Sequence, residues 1–319
     1  ARVPFTRGLR AARLASHVAA IGWTDEERAD AAGVPRVVDV VHSFGGSIWD
    51  FSLDVARRLN AAIAFEVWRI GLVDQAVSMS KREPEIPRVF LAPDVSIERR
   101  LKAAGLTAVR AAPWGVHAMT RSRSVLGRDS SVSIIITGGG RDARATIAAL
   151  EGVQLAIAER SDAVVFMDAI AARRARVWPV AKRLGLLDRL SLIDDIEQRR
   201  DIALRADILV QPEGVGEQRS VLLDAMAAGM IVVAASDPSV SWLVDDQTAW
   251  LVKENSPRVW AQAIGRALAE PERARALSAR AMARVSNEHR ATAHVASVLG
   301  AYEWVVGGPK PRIETTPKA

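Results

Sequence analysis

The sequence predicts a two-domain α/β protein in which each domain is a parallel sheet covered by helices on both faces. Three observations predict it. Short apolar runs alternate with helical stretches twice over, the spacing that parallel strands with crossover helices require. The alternation is interrupted once, at Ala112-Pro113-Trp114-Gly115-Val116-His117, where proline and glycine break the pattern. A length of 319 residues suits two cores.

In chain order, Arg7 to Ala20 reads as a basic helix, and Thr24 with Glu27 forms a capping box that opens another. Val37 to Val41 is the first clear strand and ends in His42-Ser43-Phe44-Gly45-Gly46. Asp54 to Leu59 reads as helix and Ala61 to Val67 as strand. Val89 to Ala92 is a third strand, running through Pro93-Asp94 into a helix from Ser96 to Ala104 that Gly105 closes. Ala108 to Ala111 supplies a fourth strand, and the polar stretch Thr120 to Ser131 is a linker. The second run opens with the strand Ser133 to Thr137, the loop Gly138-Gly139-Gly140-Arg141-Asp142 and a helix from Ala143 to Leu150. It continues with strand Ala163 to Met167, one long helix Ala169 to Leu184, strand Leu190 to Ile193, and helix Glu197 to Ala206. Strands Ile208 to Val210 and Met230 to Ala235 follow; Gln262 to Ala283 is helical with a break near Pro271, and Arg290 to Val305 is the last helix. These boundaries give an N-terminal domain over 1–117, a C-terminal domain over 118–289, and a terminal helix over 290–306. The tail 307–319, rich in Pro, Lys and Thr, reads as disordered.

Composition narrows the class. A chain that is 49% hydrophobic and 25% charged is globular. It has no cysteine, which removes disulfides and thiolate metal sites. No apolar run is long enough to span a membrane and no apolar signal core opens the chain, so the expected location is cytoplasmic. The formal charge of +6 is carried mostly by arginine. Those arginines are interleaved with acids, as in Glu197-Gln198-Arg199-Arg200-Asp201, which is the pattern of a solvated helix face. No nucleic-acid motif accompanies them, so nucleic acid is not an expected partner. The basic balance still suits anionic substrates and leaves peripheral contact with a membrane surface open.

The most informative stretch runs from Val210 to Gly229. An apolar strand enters the loop Gln211-Pro212-Glu213-Gly214-Val215-Gly216-Glu217-Gln218-Arg219, and a helix follows with Ser220 as its expected N-cap and Gly229 as its stop. A loop that ends at a helix N-terminus presents backbone N–H groups and a positive dipole end to an anion. Arg219 adds a fixed charge there. The Gly138–Arg141 loop also follows a strand and precedes a helix, and glycine lets it approach a phosphate closely. Either could equally be an ordinary strand-to-helix connection.

The segment Leu222-Leu223-Asp224-Ala225-Met226-Ala227-Ala228-Gly229, followed by Ile231-Val232-Val233-Ala234, resembles the donor-site segment of family 4 glycosyltransferases. Their pattern is a Pro, Glu-Gly-Phe-Gly, an apolar run, Glu-Ala-Met-Ala-x-Gly and a buried strand. Ala112 to His117 and Pro93 to Leu101 likewise resemble the segments around that family's domain boundary. The resemblance implies a GT-B-like fold, two Rossmann-like parallel-sheet domains facing a cleft, with the last helix crossing back to the first domain. It covers about Val37 to Val305. This sequence departs from the pattern at both glutamates: the first falls on Gly216, with Glu217 one place late, and the second is Asp224.

On that resemblance the function is transfer of a sugar from a UDP- or GDP-linked nucleotide-sugar to an unknown sugar, lipid or protein acceptor, with retention and without a metal or resident cofactor. The donor set it implies is Gly139, Gly140, Arg141, Asp194, Glu213, Gly216, Arg219, Ser220, Val221 and Asp224. Glu217, Glu66 and His42 are the candidate catalytic groups, and Ser43, Gly45 and Gly46 lie on the acceptor side. The family's acceptor-side histidine usually follows the second strand, where this chain has Phe65-Glu66-Val67-Trp68 and no histidine. Glu66 is the substitute base there. His42 reads equally well as a structural histidine. The alternative is a catalytically degenerate relative that binds a nucleotide or glycan, or serves as a partner subunit.

Overall fold

The protein is represented by a computed structural model that describes residues 38–117, 125–127, 131–194, 196 and 203–307. Two compact units divide the chain. Unit 1 takes residues 1–93, 97–112 and 297–319; unit 2 takes 94–96 and 113–296. The expected helices at Arg7 to Ala20 and after Thr24, and most of the linker, the Glu197–Ala206 helix and the tail, lie outside the described residues.

Unit 1 holds a four-stranded sheet in the order β1-β2-β3-β4, formed by Val40–Ser43, Ala62–Glu66, Arg88–Ala92 and Val109–Ala111. Every pairing is parallel. β2 is buried along its whole length, as a parallel strand covered on both faces must be. One face packs on α1 (Trp49–Leu59), whose Trp49, Leu53 and Ala56 recur at helical spacing, and on α2 (Val73–Lys81) and α3 (Val95–Ala103). Phe65 and Phe90 stack at its centre, ring centroids 5.4 Å apart. The other face joins Ala62, Ala64, Val89 and Leu91 to Ala301 and Val305 from the end of the chain.

Unit 2 holds six parallel strands in the order β10-β9-β8-β5-β6-β7. They are β5 (Ser133–Ile136), β6 (Val164–Asp168), β7 (Leu190–Ile193), β8 (Ile208–Gln211), β9 (Ile231–Ala235) and β10 (Trp250–Val252). The helices are α4 (Ala143–Ala156), α5 (Ala169–Arg174), α6 (Val177–Arg183), α7 (Ser220–Ala227), α8 (Pro257–Ala269) and α9 (Pro271–Glu288). The terminal helix α10 (Ala291–Gly307) starts among unit 2 residues and ends among those of unit 1. With these sheets the chain is a two-unit, Rossmann-like α/β protein, the fold class read from the alternation of strands and helices.

Several elements differ from the expectation. The first strand is shifted along the chain, so that His42 and Ser43 lie within β1 and not after it. α1 begins at Trp49 and not at Asp54, because the buried Trp49 supplies its first core contact. The long helix from Ala169 is two helices, α5 and α6, separated at Arg176, whose φ of 53° is left-handed. Pro179 explains the break: its ring would clash with the carbonyl of Ala175 in a continuous helix, whereas it is tolerated in the first turn of α6. α2 and β10 were not anticipated. Among the described residues no helix is long and apolar enough to cross a membrane.

Candidate functional site

The candidate site of unit 2 is built where its sheet changes direction. After β5 the chain adds β6 and β7 on one side, then returns to place β8 and β9 on the other. β5 and β8 are neighbours, so the loops leaving their carboxyl ends lie side by side at the switch point, the crevice where open parallel sheets bind ligands. Those loops are the two glycine-bearing stretches. Thr137 Oγ1 donates to Gln211 Oε1 at 2.9 Å, and Gln211 Nε2 donates to the Glu213 carbonyl at 3.2 Å.

Backbone geometry explains the glycines. Gly140 has φ 65°, and a Cβ there would lie 2.8 Å from Ala171 Cα. Gly138 has φ 152°, and its Cβ would lie 2.9 Å from Glu213 Oε2. No other residue type fits either position without displacing a neighbour. The loop thereby closes onto Glu213, a buried carboxylate, whose Oε2 accepts from Gly139 N at 2.6 Å and whose Oε1 accepts from Asp142 N at 2.8 Å. Arg174 holds the loop from its other side, donating to the Gly139 carbonyl at 2.7 Å. Glu213, expected in the donor set, braces the glycine loop.

Two arginines converge on the same place. A Cβ on Gly139 would lie 3.7 Å from Arg219 Nη1, so that guanidinium sits over the loop. Glu217 lies between the two cations: Arg141 Nη1 donates to its Oε1 at 2.5 Å, and Arg219 Nη1 is 3.7 Å from its Oε2. Gly216, at φ 73°, donates its N–H to Asp237 Oδ2 at 2.7 Å. Asp237 Oδ1 accepts from Ser239 N at 2.9 Å, and Gln218 Nε2 donates to the Ser239 carbonyl at 2.5 Å. The structure therefore gathers Gly139, Gly140, Arg141, Glu213, Glu217 and Arg219.

Other expected residues fall elsewhere. Arg219 occupies the N-cap position of α7, where its side chain makes no capping hydrogen bond, and Ser220, the expected cap, is its first helical residue. Val221 to Ala227, Asp224 among them, are all buried, which fixes α7 in the core. Asp194 is exposed beyond β7, three strands from β8. At ~4.8 Å per strand that separates it by about 14 Å from the β8 loop and by about 10 Å from the β5 loop. Gln211, Gln218 and Asp237 were missed, because their importance lies in partners distant in the chain.

In unit 1, His42 and Glu66 alternate onto the face that α10 covers. His42 Nε2 is 3.2 Å from Glu66 Oε2, and its Nδ1 is 2.5 Å from the Tyr302 hydroxyl. An ionised Glu66 only accepts, so in the neutral ring Nε2 carries the proton and Nδ1 accepts from Tyr302. Burial, then the Glu66 charge, hold the Tyr302 phenol above its usual 10.0. Glu66 is only 1% exposed, and its carboxylate meets the His42 ring. Ser43 is buried and accepts from Ser52 Oγ at 2.9 Å. Gly46 packs against Leu72, and its carbonyl accepts from Gln75 Nε2 at 2.6 Å, whereas Gly45 has ordinary room.

Residues 173–284 match the family model of glycosyl transferases group 1, a span that includes the Glu213–Arg219 loop, α7 and β9. No curated protein matches the sequence. Among solved structures, the chain is similar to a sucrose-phosphate synthase from Thermosynechococcus elongatus, with a TM-score of 0.68 at 18% identity over 88% of this chain and 77% of that one. It is similar to HepE of Anabaena, solved with UDP and glucose, with a TM-score of 0.67 at 13% identity over 82% of this chain and 77% of that one. A glycosyltransferase from Rickettsia africae gives 0.63 at 15% identity, over 85% of this chain and 78% of that one. These likenesses show the GT-B fold. Together the matched segment and the fold support an enzyme of the glycosyltransferase class.

Proposed function

We propose that this protein transfers a sugar from a nucleotide-sugar donor to an acceptor hydroxyl, with the donor diphosphate seated on the β5 and β8 loops. The observation that carries the reading is the meeting of Arg141, Arg219 and the glycine loop at the switch point of the unit 2 sheet, within or beside the segment that matches group 1 transferases. Two guanidiniums there can stabilise the negative charge that grows on the leaving phosphate, and fixed cations do so without a metal. Asp224, in the helix after the loop, is the carboxylate offered to the ribose. A UDP- or GDP-linked donor, retention of configuration and a sugar, lipid or protein acceptor follow from the resemblance to family 4 enzymes.

The second reading, a binding protein without turnover, is favoured by one observation. The carboxylate of unit 1 expected to act as base is buried on His42. Arg219→Ala and Arg219→Lys separate the two. A charge-assisted bond from arginine to phosphate is worth roughly 1.5–3 kcal/mol, so nucleoside diphosphate affinity should fall about tenfold to a hundredfold. An enzyme loses more than that in donor hydrolysis or transfer, because the charge grows in the transition state. A binding protein shows the affinity loss alone. Equal affinity in wild type and both variants would remove the loop from the phosphate site and the functional reading with it.

A further inference from the structure

The donor-side cations of unit 2 are already matched by anions of the chain itself. Glu213 fills the backbone donors of the glycine loop with both carboxylate oxygens. Glu217 divides its two oxygens between Arg141 and Arg219. Two buried carboxylates thus stand where a diphosphate would find its partners. Three arginines, Arg141, Arg174 and Arg219, reach this loop, but Glu217 already takes up two of them, and a dianion entering beside Glu213 and Glu217 meets repulsion unless one carboxylate gives way.

The two glutamates are not equivalent. Glu213 cannot leave without orphaning two backbone N–H groups of a loop whose glycines are closed onto it. Glu217 holds side chains only, and one of them, Arg141, is nearly half exposed and can re-aim. We infer that Glu217 is an exchangeable internal counter-anion: it holds Arg141 and Arg219 in place until a diphosphate takes them over, and it takes them back when the product leaves. This rests on the donor site proposed above, and it concerns how tightly that site keeps a spent nucleotide. A free nucleoside diphosphate carries more negative charge than the sugar-linked donor. The returning carboxylate therefore works hardest against the product, which gives Glu217 a part in release.

Glu217→Gln keeps the size and an acceptor oxygen for Arg141 but removes the charge. Binding of inorganic pyrophosphate and of UDP and GDP is measured by calorimetry on the full chain, for wild type, Glu217→Gln and Glu213→Gln. Glu217→Gln should bind pyrophosphate at least tenfold more tightly than wild type, with slower dissociation of the nucleotide. Glu213→Gln should bind it more weakly, because the amide nitrogen then faces a backbone N–H and the loop opens. Equal or weaker pyrophosphate binding by Glu217→Gln, no binding by any of the three proteins, or equal tightening in both variants would each overturn the inference. Tightening for pyrophosphate in Glu217→Gln, with UDP and GDP binding no better than pyrophosphate in every protein, would uphold it and refute the nucleotide-sugar reading instead.

Discussion

The glycine-bearing loops were legible in the sequence, because glycine between a strand and a helix is a local signal. What each side chain does there was not. Glu213 and Glu217 stand four residues apart in one loop, yet one braces backbone N–H groups and the other pairs with arginines, a division set by residues more than seventy positions earlier. His42 and Glu66 were seen as candidates, but Tyr302, 260 residues from His42, was not. Tyr302 is the only tyrosine of the chain, so its phenolate absorbance reports one group. Held up by burial and then by Glu66, it should titrate above 10.0. A raised value means that its contribution to stability is complete below pH 10.0 and is lost as the pH climbs through the folded value. Glu66→Gln should lower the titration midpoint yet leave it above 10.0, since burial is the larger cause. A midpoint unchanged by that substitution would detach Glu66 from the cluster.

Elements with a dense apolar core were the ones read correctly: β2, β3, β8 and β9 are buried almost throughout, and their sequences are apolar runs whose only polar residues, Glu66, Arg88 and Gln211, stand at strand ends. α2 was missed because only Ala76 and Met79 are buried in it, too few to mark a period. β10 has three residues, too few to show a period of their own. A close approach between helices was equally invisible. Gly152 of α4 faces α8, where a Cβ would meet the Cβ of Trp260, lie 2.9 Å from the Pro257 carbonyl and lie 3.0 Å from Ala261 N. Gly152→Ala gains about 1 kcal/mol of helix propensity. Forcing the helices apart costs roughly 3 kcal/mol, the upper end of overpacking costs because backbone atoms of α8 stand in the way, so a net loss of about 2 kcal/mol is expected in urea unfolding. A variant as stable as wild type would mean that α8 yields freely.

At the scale of the whole molecule, the alternation of strands and helices showed two parallel sheets, but chain order did not show which residues complete each core. Unit 1 draws on three separate stretches, and its second face is closed by Ala301 and Val305. Ending the chain after Ala296 removes both, together with Tyr302. Burying a valine is worth about 1.5–3 kcal/mol and a neutral hydrogen bond about 1 kcal/mol, so unit 1 should lose at least roughly 3 kcal/mol. Amide exchange should then quicken across 62–66 and 88–92, whereas 208–211 and 231–235, in the unit 2 core, stay protected. Equal loss in both units would show that the terminal helix supports the whole chain and not unit 1 alone.

That three-part assembly of unit 1 also sets an order of events during synthesis. Its strands leave the ribosome first, but Ser297 and the residues after it leave after all of 113–296. At ~5–20 residues per second, the interval between Ala112 and Ser297 is about 10–40 s. For that time Ala62, Ala64, Val89 and Leu91 wait without their cover, while the later unit can already be complete. Of the two units, the one begun first is finished last. Its apolar sheet face is therefore the natural place for a chaperone to hold the nascent chain, and the first to aggregate when translation stalls before residue 297.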